Sequence, residues 1–167
     1  MATEFVEATI NNKLIRIDKN DSMNVWCWRD WRIKTPKWVK KKVTLWVFKK
    51  YKKYQIKINN KKYILSRVVF KAHNNDWDIT DSSKNNQVDH INRNPLDNRI
   101  ENLRVLTNQQ NQFNTNAKGY YWNKQNNKWH AQIRINGKNN FLGVFAEEED
   151  AQQAYLNAKE LYHKLPA

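Results

Sequence analysis

The fold is decided by residues 88–114, which read VDHINRNPLDNRIENLRVLTNQQNQFN. Apolar runs and turn-forming residues divide this stretch into three pieces. A strand should run into Asp89 and His90, a polar loop should follow through residues 94–98, and a second strand should cover residues 103–106. We therefore expect two strands joined by a long polar loop.

A short helix is predicted directly after the second strand. Thr107 is a favourable N-cap residue and Gln110 lies three residues later, which is the capping-box pattern. The helix should begin near Asn108 and run toward residue 114. Such a helix can fold back across the two strands, so that Asn111 faces the end of the first strand.

Three polar side chains would then converge, namely Asp89, His90 and Asn111. Hydrolysis of a phosphodiester needs a metal ion to hold phosphate oxygens and a base to deprotonate water. Asp89 and Asn111 offer oxygen ligands of the kind that Mg²⁺ accepts, with waters and phosphate completing its octahedron. Imidazole accepts a proton near neutral pH, so His90 is the predicted base. The stretch predicts a nuclease active site.

The same stretch resembles the HNH endonucleases, and the homing-endonuclease branch in particular. The resemblance is carried by Asp89-His90, Asn102-Leu103-Arg104 and Thr107-x-x-x-Asn111. It implies a ββα-metal fold with Asp89 and Asn111 as metal ligands. His90 would be the general base, and Asn102 would bridge the loop and hold His90 in place. Asp89 stands where the family name expects histidine, and its carboxylate suits an oxygen-preferring cation, Mg²⁺ or another divalent cation such as Mn²⁺.

Residues 61–73 resemble the strand and short helix that precede the catalytic motif in homing members of that family. The nuclease domain is therefore predicted to cover residues 61–116. The family usually has histidine at the position of Ser66, so no role is assigned to this serine. Arg67 and Arg104 are the predicted nucleic-acid contacts of this segment.

The composition indicates a polyanionic partner, because the formal net charge is +14. A membrane surface is the rival partner, but no apolar run approaches the ~20 residues of a spanning helix. Cys27 is the single cysteine, which excludes an intramolecular disulfide and a Cys-pair zinc site, so no zinc is expected. The first residues lack a signal-peptide core, so we expect an intracellular protein, cytoplasmic or nuclear in a eukaryotic host, and not a secreted one.

Residues 1–60 are predicted to form a basic, aromatic, β-rich region. Residues 37–62 contain eleven lysines and no acidic residue, interleaved with aromatic and β-branched residues. A lysine run is often only a solvated face, but the absence of any acidic residue favours contact with phosphate.

Residues 117–167 predict a second domain. Residues 129–135 alternate between apolar and polar side chains and end at the turn-forming pair Asn136-Gly137, and alanines recur at helical spacing after residue 150. The strand Trp-x-Ala-x-Ile-Arg and the ending Leu-Gly-x-Phe resemble the DNA-binding domain of Apetala2-type plant transcription factors. That resemblance implies a three-stranded antiparallel sheet packed on one helix, with a polar sheet face that reads the major groove.

The predicted DNA contacts of this second domain are basic, amide and aromatic side chains on or near the sheet. They are Lys118, Tyr121, Lys124, Lys128, Gln132, Arg134 and Asn139. Arg134 is the strongest candidate for a base contact, because a bidentate arginine on guanine is the commonest specific contact. A solvated sheet surface is the alternative interpretation.

Together these patterns predict an α+β, metal-dependent HNH endonuclease, of homing or mobile-element type, that cuts double-stranded DNA. A monomer is favoured. The main alternative is a non-catalytic DNA-binding regulator built on an HNH scaffold, against which the intact set of Asp89, His90, Asn102 and Asn111 argues. An RNA-binding or RNA-processing protein is a further alternative, and it depends on the basic aromatic N-terminal half.

Overall fold

A computed structural model describes residues 3–30, 35–115 and 117–165 of the chain. The chain divides into two compact units, Met1–Val105 and Leu106–Ala167. Both combine antiparallel strands with short helices, as expected for an α+β protein. The ββα-metal arrangement and the boundaries 1–60, 61–116 and 117–167 stay predictions. Among the described residues, no helix is both long and apolar enough to cross a membrane.

The first unit opens with two antiparallel sheets followed by a helix. The elements are β1 (Phe5–Ile10), β2 (Lys13–Asp18), β3 (Val25–Arg29), β4 (Lys37–Lys40), β5 (Val43–Phe48), β6 (Tyr51–Ile58), β7 (Lys61–Ile64) and α1 (Leu65–His73). Strands β1 to β4 form one sheet and β5 to β7 the other, each in chain order. Asn11 and Asn59 lie in tight turns at positive φ, which asparagine tolerates better than most residues. Their side chains donate to each other's backbone carbonyls, at 3.1 Å in both directions.

Helix α1 joins the two sheets through one core. Its buried residues Leu65, Val68, Val69 and Ala72 recur at helical spacing and therefore share one face. They belong to the same hydrophobic cluster as buried isoleucines of β1, β2 and β6. The basic N-terminal region thus packs with the beginning of the segment predicted as the nuclease domain.

The predicted strands of the motif are present. They are β8 (Gln87–His90) and β9 (Leu103–Leu106), which pair in a two-stranded sheet, and a 3-10 turn (Ile100–Asn102) leads into β9. The connector before β8 packs against α1, because the ring of Trp77 lies edge-on to Phe70 at 5.1 Å.

The second unit contains the predicted short helix, a sheet and a longer helix. The elements are α2 (Asn108–Phe113), β10 (Tyr120–Asn123), β11 (Lys128–Ile135), β12 (Lys138–Phe145) and α3 (Glu148–Tyr162). Both bonds of the capping box between Thr107 and Gln110 are formed, which confirms the predicted start of α2. Asn136 and Gly137 turn β11 into β12 with φ of 51° and 77°, as their sequence predicts.

Strands β10 to β12 form an antiparallel sheet in chain order, and α3 packs on it. Tyr155 and Ala158 of α3 share a small core with Ile133 of β11. Gly119 precedes the sheet at φ +70°, and a Cβ there would lie only 2.0 Å from the ring of Tyr155. A side chain at this position would require the ring of Tyr155 to move and would strain the backbone at this positive φ. The likeness to Apetala2-type domains stays a prediction.

Candidate active site

Asp89 and His90 are the last two residues of β8, and their side chains have different partners. Asp89 is 7% exposed, and its Oδ2 accepts a hydrogen bond from Nε of Arg104 on the neighbouring strand at 3.1 Å. The two side chains form a nearly buried ion pair. A buried carboxylate without such a partner would be strongly destabilising, so the contact with Arg104 compensates for the burial of Asp89 and holds its side chain in place.

The imidazole of His90 is oriented by Asn98. Nε2 of the ring lies 3.2 Å from Oδ1 of Asn98, which is 3% exposed. Nδ2 of Asn98 donates to the carbonyl of Leu96 at 3.3 Å, and this contact decides which way the amide points. An amide oxygen can only accept, so Nε2 carries the proton and the lone pair of the neutral ring is on Nδ1. The geometry therefore assigns Nδ1 as the basic nitrogen.

The loop between the strands is held closed by Asn102. Its Oδ1 accepts from the backbone amide of Asn92 at 2.9 Å, and its Nδ2 donates to the carbonyl of Asp97 at 2.8 Å. The backbone carbonyl of Asn102 also accepts from Ile91. Asn102 thus connects two parts of the loop, while the contact at Nε2 of His90 comes from Asn98. The role of Asn102 in holding His90 stays a prediction.

A second clamp in the loop is the ion pair of Asp97 with Arg99. Arg99 donates to both carboxylate oxygens, at 2.9 and 2.8 Å, and Asn92 donates to Oδ2 at 2.8 Å. The hydrogen bond from Arg99, above all, holds the pKa of the Asp97 carboxyl well below its usual range. The loop that carries Asn98 is therefore fixed by an ionised carboxylate at neutral pH.

Arg67 has a different role in the structure from the phosphate contact that we predicted. Its guanidinium donates to the backbone carbonyls of Ile79, Asp81 and Asn86 at 2.8 to 2.9 Å, and it lies 4.7 Å above the ring of Trp77. Burial lowers the pKa of this guanidinium. The donor groups of the guanidinium are therefore used in holding the connector that leads into β8.

Arg104 also departs from its predicted role as a nucleic-acid contact. Its side chain is only 15% exposed, and it is engaged with the carboxylate of Asp89. Both arginines of the motif segment therefore support the site from within.

A cleft of about 420 Å³ in the first unit opens beside His90. One wall comes from the hairpin formed by β5 and β6, and the other from α1, β8 and the loop. The lining residues are Trp46, Lys50, Tyr51, Lys52, Lys53, Ile64, Ser66, Arg67, Gln87, Val88, His90 and Pro95. Three lysines and one arginine line the cleft without any acidic residue, which favours an anionic occupant.

The donor chemistry at Asp89 fits a hard divalent cation, because its carboxylate is an oxygen donor held in place by Arg104. Within the described ranges, no cluster of three or more His, Cys, Asp or Glu side chains could hold a metal ion. Mg²⁺ at sites that bind phosphates usually keeps several waters and takes only one or two carboxylates from the protein. Asn111 lies on α2 in the second unit, half-buried, with its backbone amide bonded to the carbonyl of Thr107 at 2.9 Å. Its assignment as a metal ligand stays a prediction.

The predicted DNA face of the second unit is organised by strand register. Tyr121 pairs with His130, and Arg134 pairs with Asn139, so these side chains lie on one face together with Gln132. Lys118, Lys124 and Lys128 are exposed at the margins of the sheet, and Nζ of Lys118 lies 3.8 Å from a Glu148 oxygen. Gln132, Arg134 and Asn139 also line a cleft of about 260 Å³. Their contact with DNA stays a prediction.

Sequence reasoning missed two features of the site. Asn98 was predicted only as part of the polar loop, although it orients His90. The hairpin of β5 and β6 was assigned to general phosphate contact, although Trp46 and Tyr51 share a cleft with His90. The eleven lysines indicated that the region is a binding surface, but the sequence did not predict that it lies beside the motif.

Comparison with known proteins gives two findings. Residues 63–113 match the family described as HNH endonuclease. An uncharacterized HNH endonuclease of Acanthamoeba polyphaga mimivirus is 40% identical over 85 residues, which is 48% of this chain and 45% of the relative. The chain thus aligns with less than half the length of that relative. No solved structure gives a significant match. Together these findings support an HNH endonuclease domain in residues 63–113, the segment that carries Asp89, His90, Asn98 and Asn102.

Proposed function

We propose that this protein is a metal-dependent HNH DNA endonuclease of the homing or mobile-element type, which hydrolyses phosphodiester bonds in duplex DNA. The observation that carries the proposal is the His90 ring, whose Nε2 is held by Asn98 at 3.2 Å beside the buried pair of Asp89 and Arg104. The similarity of residues 63–113 to HNH endonucleases supports it.

In this mechanism Nδ1 of His90 takes a proton from a water molecule as its oxygen attacks phosphorus. The positive charge that develops on the ring is stabilised by Oδ1 of Asn98, which accepts the hydrogen bond from Nε2. The P–O3′ bond breaks and O3′ takes a proton from a solvent water, so the products carry a 5′-phosphate and a 3′-hydroxyl. A divalent cation such as Mg²⁺ or Mn²⁺, held by Asp89 and Asn111, would neutralise phosphate charge and stabilise the leaving oxygen.

Double-stranded DNA is the proposed substrate, and the two units would divide its recognition. The acid-free run of lysines in residues 37–62 supplies affinity that is independent of sequence. The sheet face of residues 117–167, centred on Arg134, chooses the site. We favour a monomeric enzyme.

The test is incubation of the purified chain with Mg²⁺ and a randomised duplex library, followed by mapping of the cut ends. Recurrent breaks with 5′-phosphate ends are expected. Tight DNA binding without breaks, in Mg²⁺ and in Mn²⁺, would instead support a DNA-binding regulator and refute the endonuclease.

His90→Ala should reduce the cleavage rate by ~10²–10⁴ while leaving DNA affinity nearly unchanged, because the base acts on water and not on the bound phosphate. His73→Ala is a matched control, since its ring bonds to the Val69 carbonyl at 3.0 Å within α1. Asp89→Ala and Asn111→Ala should lose activity that high metal concentration partly restores. Cleavage by His90→Ala at the wild-type rate would show that the site is misassigned.

A further inference from the structure

The outer half of the β5–β6 hairpin exposes an unusual amount of apolar surface. The residues and their exposed fractions are Leu45 50%, Trp46 37%, Val47 53%, Phe48 56% and Tyr51 61%. Contiguous exposed apolar side chains are rare on a monomer and usually mark a binding site. The hairpin is thus more than a carrier of lysines.

Strand register sorts these side chains into two faces. Phe48 pairs with Tyr51, and Trp46 pairs with Lys53, so the three rings lie on one face, which we call the aromatic face (Trp46, Phe48 and Tyr51). Trp46 and Phe48 are stacked, with ring centroids 5.8 Å apart and planes 21° apart. Leu45 and Val47 lie on the opposite face.

The aromatic face continues into the cleft that contains His90. Trp46 and Tyr51 line the cleft from the hairpin side, together with three lysines, and His90 lines it from the other wall. Nζ of Lys53 lies 4.7 Å above the Trp46 ring, so positive charge and a flat apolar surface occur at the same place. An occupant of this cleft meets rings, ammonium groups and the catalytic imidazole together.

Charge and shape identify the occupant. Residues 37–62 contain eleven lysines and no acidic residue, so the occupant is anionic. Exposed rings require a flat apolar partner, and a nucleic acid strand combines phosphates with bases that stack on aromatic side chains. A bilayer offers anionic headgroups but no flat aromatic bases on which the exposed rings could stack.

We propose that the aromatic face stacks on nucleobases of the DNA strand next to the phosphate attacked at His90, so that the enzyme holds its substrate locally unstacked. The location beside the attacked phosphate rests on the proposed endonuclease function, whereas the stacking itself does not. Apolar side chains that enter between base steps in other DNA-binding proteins unstack and bend the duplex in this way.

The test measures binding without cleavage. A duplex is selected for affinity to the wild-type chain in EDTA, and an abasic site is then placed at each position in turn. On the intact duplex, Tyr51→Ala and Trp46→Ala should each raise the Kd by about 5- to 150-fold, the range for loss of one base–aromatic stack. At one or two adjacent abasic positions the same variants should bind within about twofold of wild type, because the base that met the ring is gone.

Matched variants on the same hairpin complete the design. Tyr51→Phe and Trp46→Phe keep a ring and should bind like the wild type, and Val47→Ala removes an equally exposed apolar side chain from the opposite face and should do the same. The inference is overturned if no abasic position removes the defect of the alanine variants, or if Val47→Ala shows an equal defect. Binding to anionic vesicles that depends on Tyr51, without any abasic effect on DNA binding, would also overturn it in favour of a membrane surface.

The outcome separates this inference from the endonuclease proposal. If the protein cuts no DNA but shows the abasic pattern, the stacking inference is supported and the endonuclease proposal is refuted. If the protein cuts DNA but the sensitive abasic positions lie away from the mapped break, the placement of the stacking beside His90 is refuted.

Discussion

Replacing Asn98 with alanine should slow DNA cleavage by about 10- to 100-fold while leaving DNA affinity within about twofold of wild type. The loss in rate should exceed the value of the contact alone, because one neutral hydrogen bond is worth about 1 kcal/mol, or about fivefold in rate. Loss of the base altogether costs ~10²–10⁴, which sets the upper bound. The expected value lies between them, since the ring remains but neither its tautomer nor its rotation is fixed by the 3.2 Å contact to Nε2.

The assay is single-turnover cleavage of a mapped duplex in saturating Mg²⁺, with the Kd measured separately in EDTA. Asn94→Ala is the matched control, because it removes another side-chain bond of the same loop, to the amide of Leu96 at 3.1 Å, without touching the ring. Asn98→Asp keeps an oxygen acceptor and should retain more activity than Asn98→Ala. The reasoning fails if Asn98→Ala cuts at the wild-type rate, or if Asn94→Ala is slowed equally.

Two other predictions concern stability and recognition. The lowered pKa of Asp97 means that its ionised carboxylate stabilises the folded state above pH 3.8 and that this stabilisation is lost as the pH falls through the folded value. Asp97→Asn should therefore lower the free energy of unfolding, measured in urea at pH 7, by only about 1 kcal/mol, because Arg99 is largely exposed and solvent screens the pair. The difference in unfolding free energy between the variant and the wild type should shrink below pH 4. Asp76→Asn is the control and should change the unfolding free energy little. Arg134→Ala should weaken binding to the preferred site by ~1–3 kcal/mol and leave binding to random duplex unchanged. Removing lysines from residues 37–62 should weaken binding to both duplexes equally. It should also reduce the slope of log affinity against log salt by ~0.9 for each phosphate that the variant no longer binds. Titrations on both duplexes at several salt concentrations separate these effects, and an equal defect of Arg134→Ala on both would make it a phosphate contact.

The features that the sequence predicted well are those that neighbouring residues determine. Thr107 and Gln110 form their capping box within one helical turn. Asn136 and Gly137 adopt the positive φ that their turn needs, whatever else the sheet contacts. The strands at residues 87–90 and 103–106 follow in the same way from short apolar runs bounded by turn-forming residues. Such patterns carry their own physical cause and need no tertiary context.

The features that could not be predicted depend on packing between distant segments. Nothing near Asn98 distinguishes it from the other asparagines of a polar loop, because its role arises only when the loop closes under Asn102. The shared core of β1, β2, β6 and α1 was hidden for the same reason, since buried isoleucines in short strands do not show which helix they meet. Because that core was not predicted, the proximity of Trp46 and Tyr51 to His90 was not predicted either.

The roles of the cations follow from the difference between a guanidinium and an ammonium group. Arg16 lies over the rings of Phe5 and Trp38 at 4.3 and 4.5 Å, Arg67 donates to three carbonyls, and Arg104 holds the buried carboxylate of Asp89. A planar group with several fixed donors and weak hydration suits such interior work. A lysine ammonium is strongly hydrated and mobile, so it loses least when it remains at the surface and meets a phosphate there. Arg67 and Arg104 were predicted to contact nucleic acid. In this fold their guanidinium groups instead bond to backbone carbonyls and to Asp89, whereas most lysines of residues 37–62 are exposed.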